Sequence, residues 1–403
     1  MYSNDNGYKW IPYIALLVIA LMVLAVVGLM GGTGAILSTG ASARGAATFR
    51  EVARGVSFDA AGGAVFHADN SAGYVLASRG GVRFIGANGD ISQEYVFTLD
   101  NVHLYANRAH FIVYEPGGSD ARVFSPSGML YHRNLGGQIL SAGVNGSGAS
   151  AFVVKAGDVY ETHLFERDGL TSQAVSRIVH ADDGVFPTSA AVSEDGQVAA
   201  VALLDVSGAN LRSRLAFYHL GEQAGRYSGG IFARLQFEDE VVGRLMFFDD
   251  GSLVVFSDRY IRRIGFTGGV VAETGYIRLG NRVASLTRAG GGGFAVVLGG
   301  GFTGMDSETP GTVISYTSAL TERFRFNPER NTTYLWANDN AVVVGAGRSI
   351  YGKTHGGRLL WNYNATQDYS QVIMLENRDT ILFAARNEAR VLRRAAGFGL
   401  GRV

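Results

Sequence analysis

The chain has 403 residues, 47% hydrophobic and 17% charged, with 35 basic residues, 35 acidic residues and no Cys. It is too apolar to be disordered, and its balanced charge argues against a nucleic-acid-binding domain, because phosphate binding needs a positive field. The absence of Cys removes disulfides, Cys-ligated zinc, iron–sulfur clusters and thiol catalysis.

Residues 1–10 read as a short tail. Ile11 to Gly34 carries no charged residue, and its centre, Ile14 to Leu29, is nearly all aliphatic. About 20 apolar residues at ~1.5 Å rise cross a ~30 Å hydrocarbon core, so residues 11–34 are predicted to be one transmembrane helix. Tyr8, Trp10 and Tyr13 suit an interfacial aromatic belt. Lys9 is the only basic residue close by, which puts the tail in the cytoplasm and the remainder of the chain outside. A cleaved signal peptide competes with this reading, because Ala41-Ser42-Ala43 has the small-x-small form of a cleavage site. The apolar run is, however, longer than the usual signal core. Residues 35–47, rich in Gly, Ala, Ser and Thr, read as a flexible linker.

From Thr48 to Val403 the pattern is all-β. Short apolar runs recur, each bounded by Gly, Asn, Asp or Ser. They include Gly73–Ser78, Phe111–Tyr114, Ala151–Val154, Val198–Leu204, Leu253–Phe256, Phe294–Leu298, Ala341–Val344 and Thr380–Ala384. Each reads as the second strand of a four-stranded unit. First strands are placed near Gly62, Asn101, Gln138, Thr188, Val241, Arg282, Thr332 and Ser370, a mean spacing of 44 residues. Four strands every ~40–50 residues is the signature of a β-propeller. The last unit holds only three strands, and Thr48–Ala53 supplies the missing fourth, which closes the ring at the chain ends and removes a free edge. The count is eight blades; seven results if two weak strands are misread.

The middle of the chain carries a resemblance. Phe186-Pro-Thr-Ser-Ala-Ala-Val-Ser-Glu-Asp-Gly196 leads into Val198–Leu204, then Asp205-Val-Ser-Gly208, Arg214-Leu-Ala-Phe-Tyr218, Tyr227–Phe232 and Leu245–Phe256. Together with the layout of short tail, single anchor and blades, this resembles a family of membrane-anchored, propeller-like proteins of unknown function from Gram-positive bacteria. The resemblance implies fold and location and carries no activity. The Gly-His and Trp-Asp marks of WD-type propellers are absent. The Gly-x-x-x-Trp turn of quinone-dependent propellers occurs once, at Gly357–Trp361, so no quinone or other cofactor is expected.

Gly347-Arg-Ser-Ile-Tyr-Gly-Lys-Thr354 matches the phosphate-loop pattern. That motif works only where a Gly-rich loop opens into a helix, whereas Arg358–Tyr363 is a strand pattern, so a propeller hairpin is expected and no nucleotide. Asp182-Asp183-Gly184, Glu194-Asp195-Gly196 and Asp249-Asp250-Gly251 offer oxygen ligands for Ca²⁺ but lack calcium-hand spacing. Asp-Gly is favoured hairpin chemistry, so no metal site is assigned. The eight His form no His-x-His or His-Glu-x-x-His pair, and no Gly-x-Ser-x-Gly nucleophile turn occurs. No catalytic residue is therefore assigned.

Three connections stand out by length: Asp205–Arg214, Gly221–Gly230 and Gly299–Thr312. Long loops on a rigid scaffold commonly carry function. The first and third share an end of the blades with Ala181–Pro187, which selects Asp182, Asp183, Asp205, Asn210, Arg212, Asp306 and Glu308 as a candidate binding face. The expected function is a non-catalytic protein-interaction or scaffold module, anchored in the cytoplasmic membrane with its propeller outside. Its expected partner is an envelope protein or a wall polymer. The alternative is an extracellular hydrolase or lyase with carboxylates in the propeller funnel.

Overall fold

The computed structural model describes residues 46–395 apart from 60–62, 69–72, 109, 171–175, 221, 300–310 and 376–377. The anchor at 11–34 and nearly all of the linker lie outside the described residues. Among the described residues no helix is long and apolar enough to cross a membrane.

The strands follow in chain order. Strand β1 (Phe49–Ser57) precedes blade 1, which is β2 (Ala64–His67), β3 (Gly73–Ser78), β4 (Gly81–Gly86) and β5 (Ile91–Val96). Blade 2 is β6 (His103–Asn107), β7 (His110–Tyr114), β8 (Asp120–Ser125) and β9 (Gly128–Asn134). Blade 3 is β10 (Gln138–Val144), β11 (Ser150–Ala156), β12 (Val159–Phe165) and β13 (Arg177–His180). Blade 4 is β14 (Val185–Val192), β15 (Val198–Asp205), β16 (Arg212–His219) and β17 (Ile231–Glu238). Blade 5 is β18 (Val242–Phe247), β19 (Leu253–Ser257), β20 (Tyr260–Thr267) and β21 (Val270–Arg278). Blade 6 is β22 (Val283–Ala289), β23 (Gly293–Leu298), β24 (Thr312–Thr317) and β25 (Glu322–Phe326). Blade 7 is β26 (Thr332–Ala337), β27 (Val342–Ala346), β28 (Ser349–Lys353) and β29 (Leu359–Asn364). Blade 8 is β30 (Gln371–Met374), β31 (Thr380–Ala385) and β32 (Glu388–Arg394), completed by β1.

These eight antiparallel four-stranded sheets are the blades of a β-propeller. Every first strand begins within three residues of the position expected from the sequence. In blade 8 the order is β1-β32-β31-β30, with Phe49 opposite Arg394 and Ser57 opposite Glu388. The strand from the start of the chain thus closes the last blade, as expected.

The chain divides into two compact units. The first, residues 105–282 with 318–320, holds blades 2–5; the second holds blades 6–8 and 1. In both, the core lies between blades. Phe152 and Val154 of β11 pack toward blade 2, while Ala151 and Val153 pack toward blade 4. Ile381 and Phe383 of β31 pack toward blade 7, while Leu382 and Ala384 pack toward blade 1. Side chains alternate across a strand, so a second strand sandwiched between neighbours needs apolar residues on both faces. That is why these strands read as unbroken apolar runs.

Within the units, first strands lie against the first strand of the next blade, β10 with β14, β14 with β18, β22 with β26, β26 with β30 and β30 with β2, and are the inner strands. Five of them slip register against their second strand at the same place, around Leu140, Thr188, Gly243, Ala284 and Thr333. A bulge increases local twist, and the innermost strand of a blade is where the sheet must twist over the shortest width.

The phosphate-loop lookalike spans the β27–β28 hairpin and β28, with Gly347 at φ 61° in the turn. It is a third propeller strand and its turn, as the strand pattern after it required.

Candidate functional site

Five of the seven residues selected from the sequence come together at one end of the first unit. Asp182 and Asp183 are exposed in the connection from β13 to β14, and Asn210 is exposed at the tip of the β15–β16 hairpin. The backbone ties the two segments: Val206 N–H donates to Gly184 O at 2.8 Å. Gly184 has φ 74°, and a Cβ there would meet the Ser207 backbone at 3.1 Å. Asp306 and Glu308 lie outside the described residues.

Asp205 and Arg212 differ from the expectation of a long loop. Both belong to strands and face each other as a cross-strand pair, so the connection shrinks to residues 206–211. The cause is the Asp205 carboxylate, which is fully buried. Its Oδ1 accepts from Ser207 N–H at 2.9 Å and Ser207 Oγ–H at 2.6 Å. Its Oδ2 accepts from Arg212 Nε at 2.6 Å and pairs with Arg214 Nη2. Burial alone would raise its pKa; the Ser207 and Arg212 hydrogen bonds and the Arg214 charge outweigh burial and hold it at about 2. Asp205 is therefore a pin for the hairpin, and only Asp182, Asp183, Asn210 and the half-buried Arg212 remain for a ligand.

The opposite end of the first unit carries a polar cluster that sequence reasoning missed. Here the turns between first and second strands of four blades converge. Asn107 Nδ2 donates to Glu194 Oε1 at 3.0 Å, and Gly146 N–H donates to Glu194 Oε2 at 2.7 Å. Asn145 Nδ2 donates to Ser193 O at 2.8 Å, while its Oδ1 caps its own turn by accepting from Ser147 and Ala149 N–H. Arg108 Nη2 pairs with Asp249 Oδ2, linking blade 2 to blade 5. Asp250 Oδ1 accepts from Ser252 N–H at 2.9 Å, and its Oδ2 accepts from Ser318 Oγ–H at 2.9 Å and Arg263 Nη2 at 3.2 Å. Against the upward push of burial, these bonds hold Asp250 at about 2. Burial and the Arg167 charge keep His110 below its usual range, against the opposing pull of Glu194. Between the same two blades the Arg244 guanidinium lies 4.2 Å from the Tyr105 ring centroid.

The chemistry available at this end is limited by these commitments. Glu194, Asp249 and Asp250 each meet a donor or a cation supplied by another turn or strand. Among the described residues no three of His, Asp and Glu gather as a metal site. No signal in the sequence pairs Arg108 with Asp249, which lie 141 positions apart.

Solved structures resemble the chain in fold. Dipeptidyl peptidase 4 from Porphyromonas gingivalis aligns with a TM-score of 0.52 and 12% identity over 83% of this chain, which spans 58% of that protein. BamB from Moraxella catarrhalis aligns with a TM-score of 0.48 and 13% identity over 86% of this chain and 100% of the other. The Pan2 WD40 domain of Neurospora crassa aligns with a TM-score of 0.46 and 7% identity over 87% of this chain and 96% of the other. No curated protein matches the chain in sequence. A family model does, over residues 60–393, and the chain belongs to that family of unknown function, DUF5711.

Proposed function

We propose that this protein is a non-catalytic interaction module, held by residues 11–34 in the cytoplasmic membrane with its propeller outside. The observation that carries the reading is the commitment of carboxylates at the inner turns of the first unit. Glu194, Asp249 and Asp250 are engaged by Asn107, Gly146, Arg108, Arg263 and Ser318. A glycosidase-type site needs a carboxylic acid and a carboxylate free to exchange protons with substrate. Carboxylates already satisfied by internal donors suit a rigid scaffold instead.

The partner is an envelope protein or wall polymer, engaged at the Asp182, Asp183, Asn210 and Arg212 end. There, exposed polar groups stand on a hairpin fixed from beneath by buried Asp205. In-cell cross-linking followed by mass spectrometry tests this. A stoichiometric envelope protein, retained by wild type and lost when Gly208–Asn210 is deleted, supports the module. Recovery of the protein alone, with hydrolytic activity on glycans or peptides, overturns it.

A further inference from the structure

Blade 8 is where the chain enters the second unit, and the end at which it enters is cationic. Strand β1 starts at Phe49, opposite Arg394, the last residue of β32. The turn from β30 to β31 lies at the same end, since Arg394 N–H donates to Asp379 O at 2.7 Å. Blade 7 is fastened to this end: Trp361 Nε1–H donates to Arg378 O at 2.9 Å, and Ala47 N–H donates to Asn362 O at 2.5 Å. Arg50, Arg378, Arg393 and Arg394 are exposed here, and so is Arg358 in the turn into β29. Beside Arg358, Leu359 is 51% exposed.

Little inside the protein answers this charge. Arg50 stands directly across from Arg393 in the β1–β32 pair, and like charges opposite each other on neighbouring strands repel. Arg393 Nε donates to Thr380 Oγ1 at 3.4 Å, a neutral partner. The side chains of Arg50, Arg358 and Arg378 meet no acid among the described residues. Arg394 does: its Nε pairs with Asp379 Oδ1 at 3.1 Å, while its Nη1 donates to Leu360 O at 2.7 Å. Glu51, next to Arg50, pairs with Arg390 at 3.7 Å, and Asp339, on the inner turn of blade 7, acts on His355. Glu376 lies outside the described residues. The chain has as many acids as bases, so the excess of arginine is particular to this end and not a general basic character.

The path of the chain says what lies opposite. Residues 35–48, a stretch of 14, join the anchor at 11–34 to β1. Such a stretch spans at most about 50 Å fully extended, and about 20 Å as a Gly/Ser-rich coil. The end of blade 8 that receives it is therefore the end held nearest the bilayer. We propose that this end of blades 7 and 8 docks on the membrane that holds the anchor, with its arginines on the phosphates of anionic lipid and Leu359 at the headgroup level. The inference rests on residues 11–34 being a membrane anchor, and goes beyond that reading by fixing which end of the second unit lies on the bilayer. The guanidinium fork matches phosphate oxygens. An anionic surface attracts arginines within a Debye length, ~8–10 Å. The tether makes docking intramolecular, so individually weak contacts suffice.

The chain has no Cys, so a single thiol can be placed at either end of a blade. The test puts the full chain in nanodiscs of phosphatidylcholine, alone or mixed with phosphatidylglycerol, with a nitroxide headgroup lipid as quencher. A fluorophore is attached to Gly356→Cys, in the turn beside Arg358, or to Asn387→Cys, in the exposed hairpin at the far end of blade 8. The Gly356→Cys label is expected to be quenched in anionic discs, and less so in neutral discs or at raised salt, which screens exposed charges. The Asn387→Cys label should be quenched in neither lipid. With the Gly356→Cys label, Arg50→Gln, Arg378→Gln and Arg393→Gln should each lower the docked-to-undocked ratio about fivefold, and Arg386→Gln, at the far end, should leave it unchanged. Equal quenching at the two positions, or quenching indifferent to lipid charge and salt, overturns the docking and leaves the anchor standing. A chain that does not stay with the disc overturns the anchor and the docking with it. Binding of soluble polyphosphate without quenching at Gly356→Cys assigns the arginines to a free polyanion and overturns the docking as well. If a Gln variant does not fold, the salt titration of the chain with its native arginines decides.

Discussion

Arg108 adopts φ 55°, a left-handed conformation that costs a non-glycine residue roughly 1–2 kcal/mol. Its ion pair with Asp249 is more than a third exposed on both sides, and such pairs contribute about 0–1 kcal/mol. The two effects nearly cancel, so Arg108→Gly is expected to unfold in urea within about 1 kcal/mol of wild type, while Arg108→Ala, which keeps the strain, falls below it. Asp205 behaves in the opposite way. Removing one partner of a buried charge cluster costs about 3–5 kcal/mol, so Asp205→Asn should lose that order of stability in the same assay, whereas Asp182→Asn and Asp183→Asn should lose almost none. In the sequence Asp205 read only as the first residue of a long connection. Its burial was not legible there, because it depends on Arg212 and Arg214 of β16 pairing with it.

At the scale of elements, the second strands were legible because each must satisfy two neighbouring blades and so carries no polar face. Hairpin turns were legible through Asp-Gly and Asn-Gly steps. What stayed hidden is how inner turns meet between blades. Asn145 and Asn338 each cap their own turn and donate to the next blade, at Ser193 O and Met374 O, but an isolated Asn in a turn looks the same whether or not it reaches a neighbour. Lys353 was hidden for a related reason: β28 reads as an ordinary strand, and only the facing β25 shows that its lysine is enclosed. Gly290 gives the sharpest element-level test. Its N–H donates to Asn338 O at 3.0 Å, and a Cβ there would collide with the Asp339 backbone. Gly290→Ala should therefore lose about 1–3 kcal/mol, as overpacking against an unyielding neighbour does. Gly243→Ala, in the inner-strand bulge of blade 5 with open space around it, should be near neutral in thermal unfolding.

At the scale of the whole molecule, acid should act in two stages. Burial holds His180 down to about 4 from an ordinary 6.5, against the Asp182 charge. Its folded pKa lies below its unfolded one, so the native state resists protonation and stability falls as pH drops from 6.5 to 4. Asp205 and Asp250 are held at about 2 from an ordinary 3.8. Their contribution is present above pH 3.8 and disappears as pH falls toward 2. Tm measured across this range should decline in both windows, and His180→Gln should make the first shallower without altering the second, the remainder coming from His103, His110, His219 and His355, which burial also holds down.

The closing strand β1 also sets a schedule. It leaves the ribosome before any blade, yet its partner β32 follows more than 300 residues later. At ~5–20 residues per second, that wait is roughly 15–70 s. Throughout it Phe49, destined to pack edge-on against Trp361 and Tyr363, has nothing to rest on. Until β32 is made, the blades form with β1 and its Phe49 still unpaired ahead of them. A holding chaperone is therefore needed most around β1, while β32 is still being made.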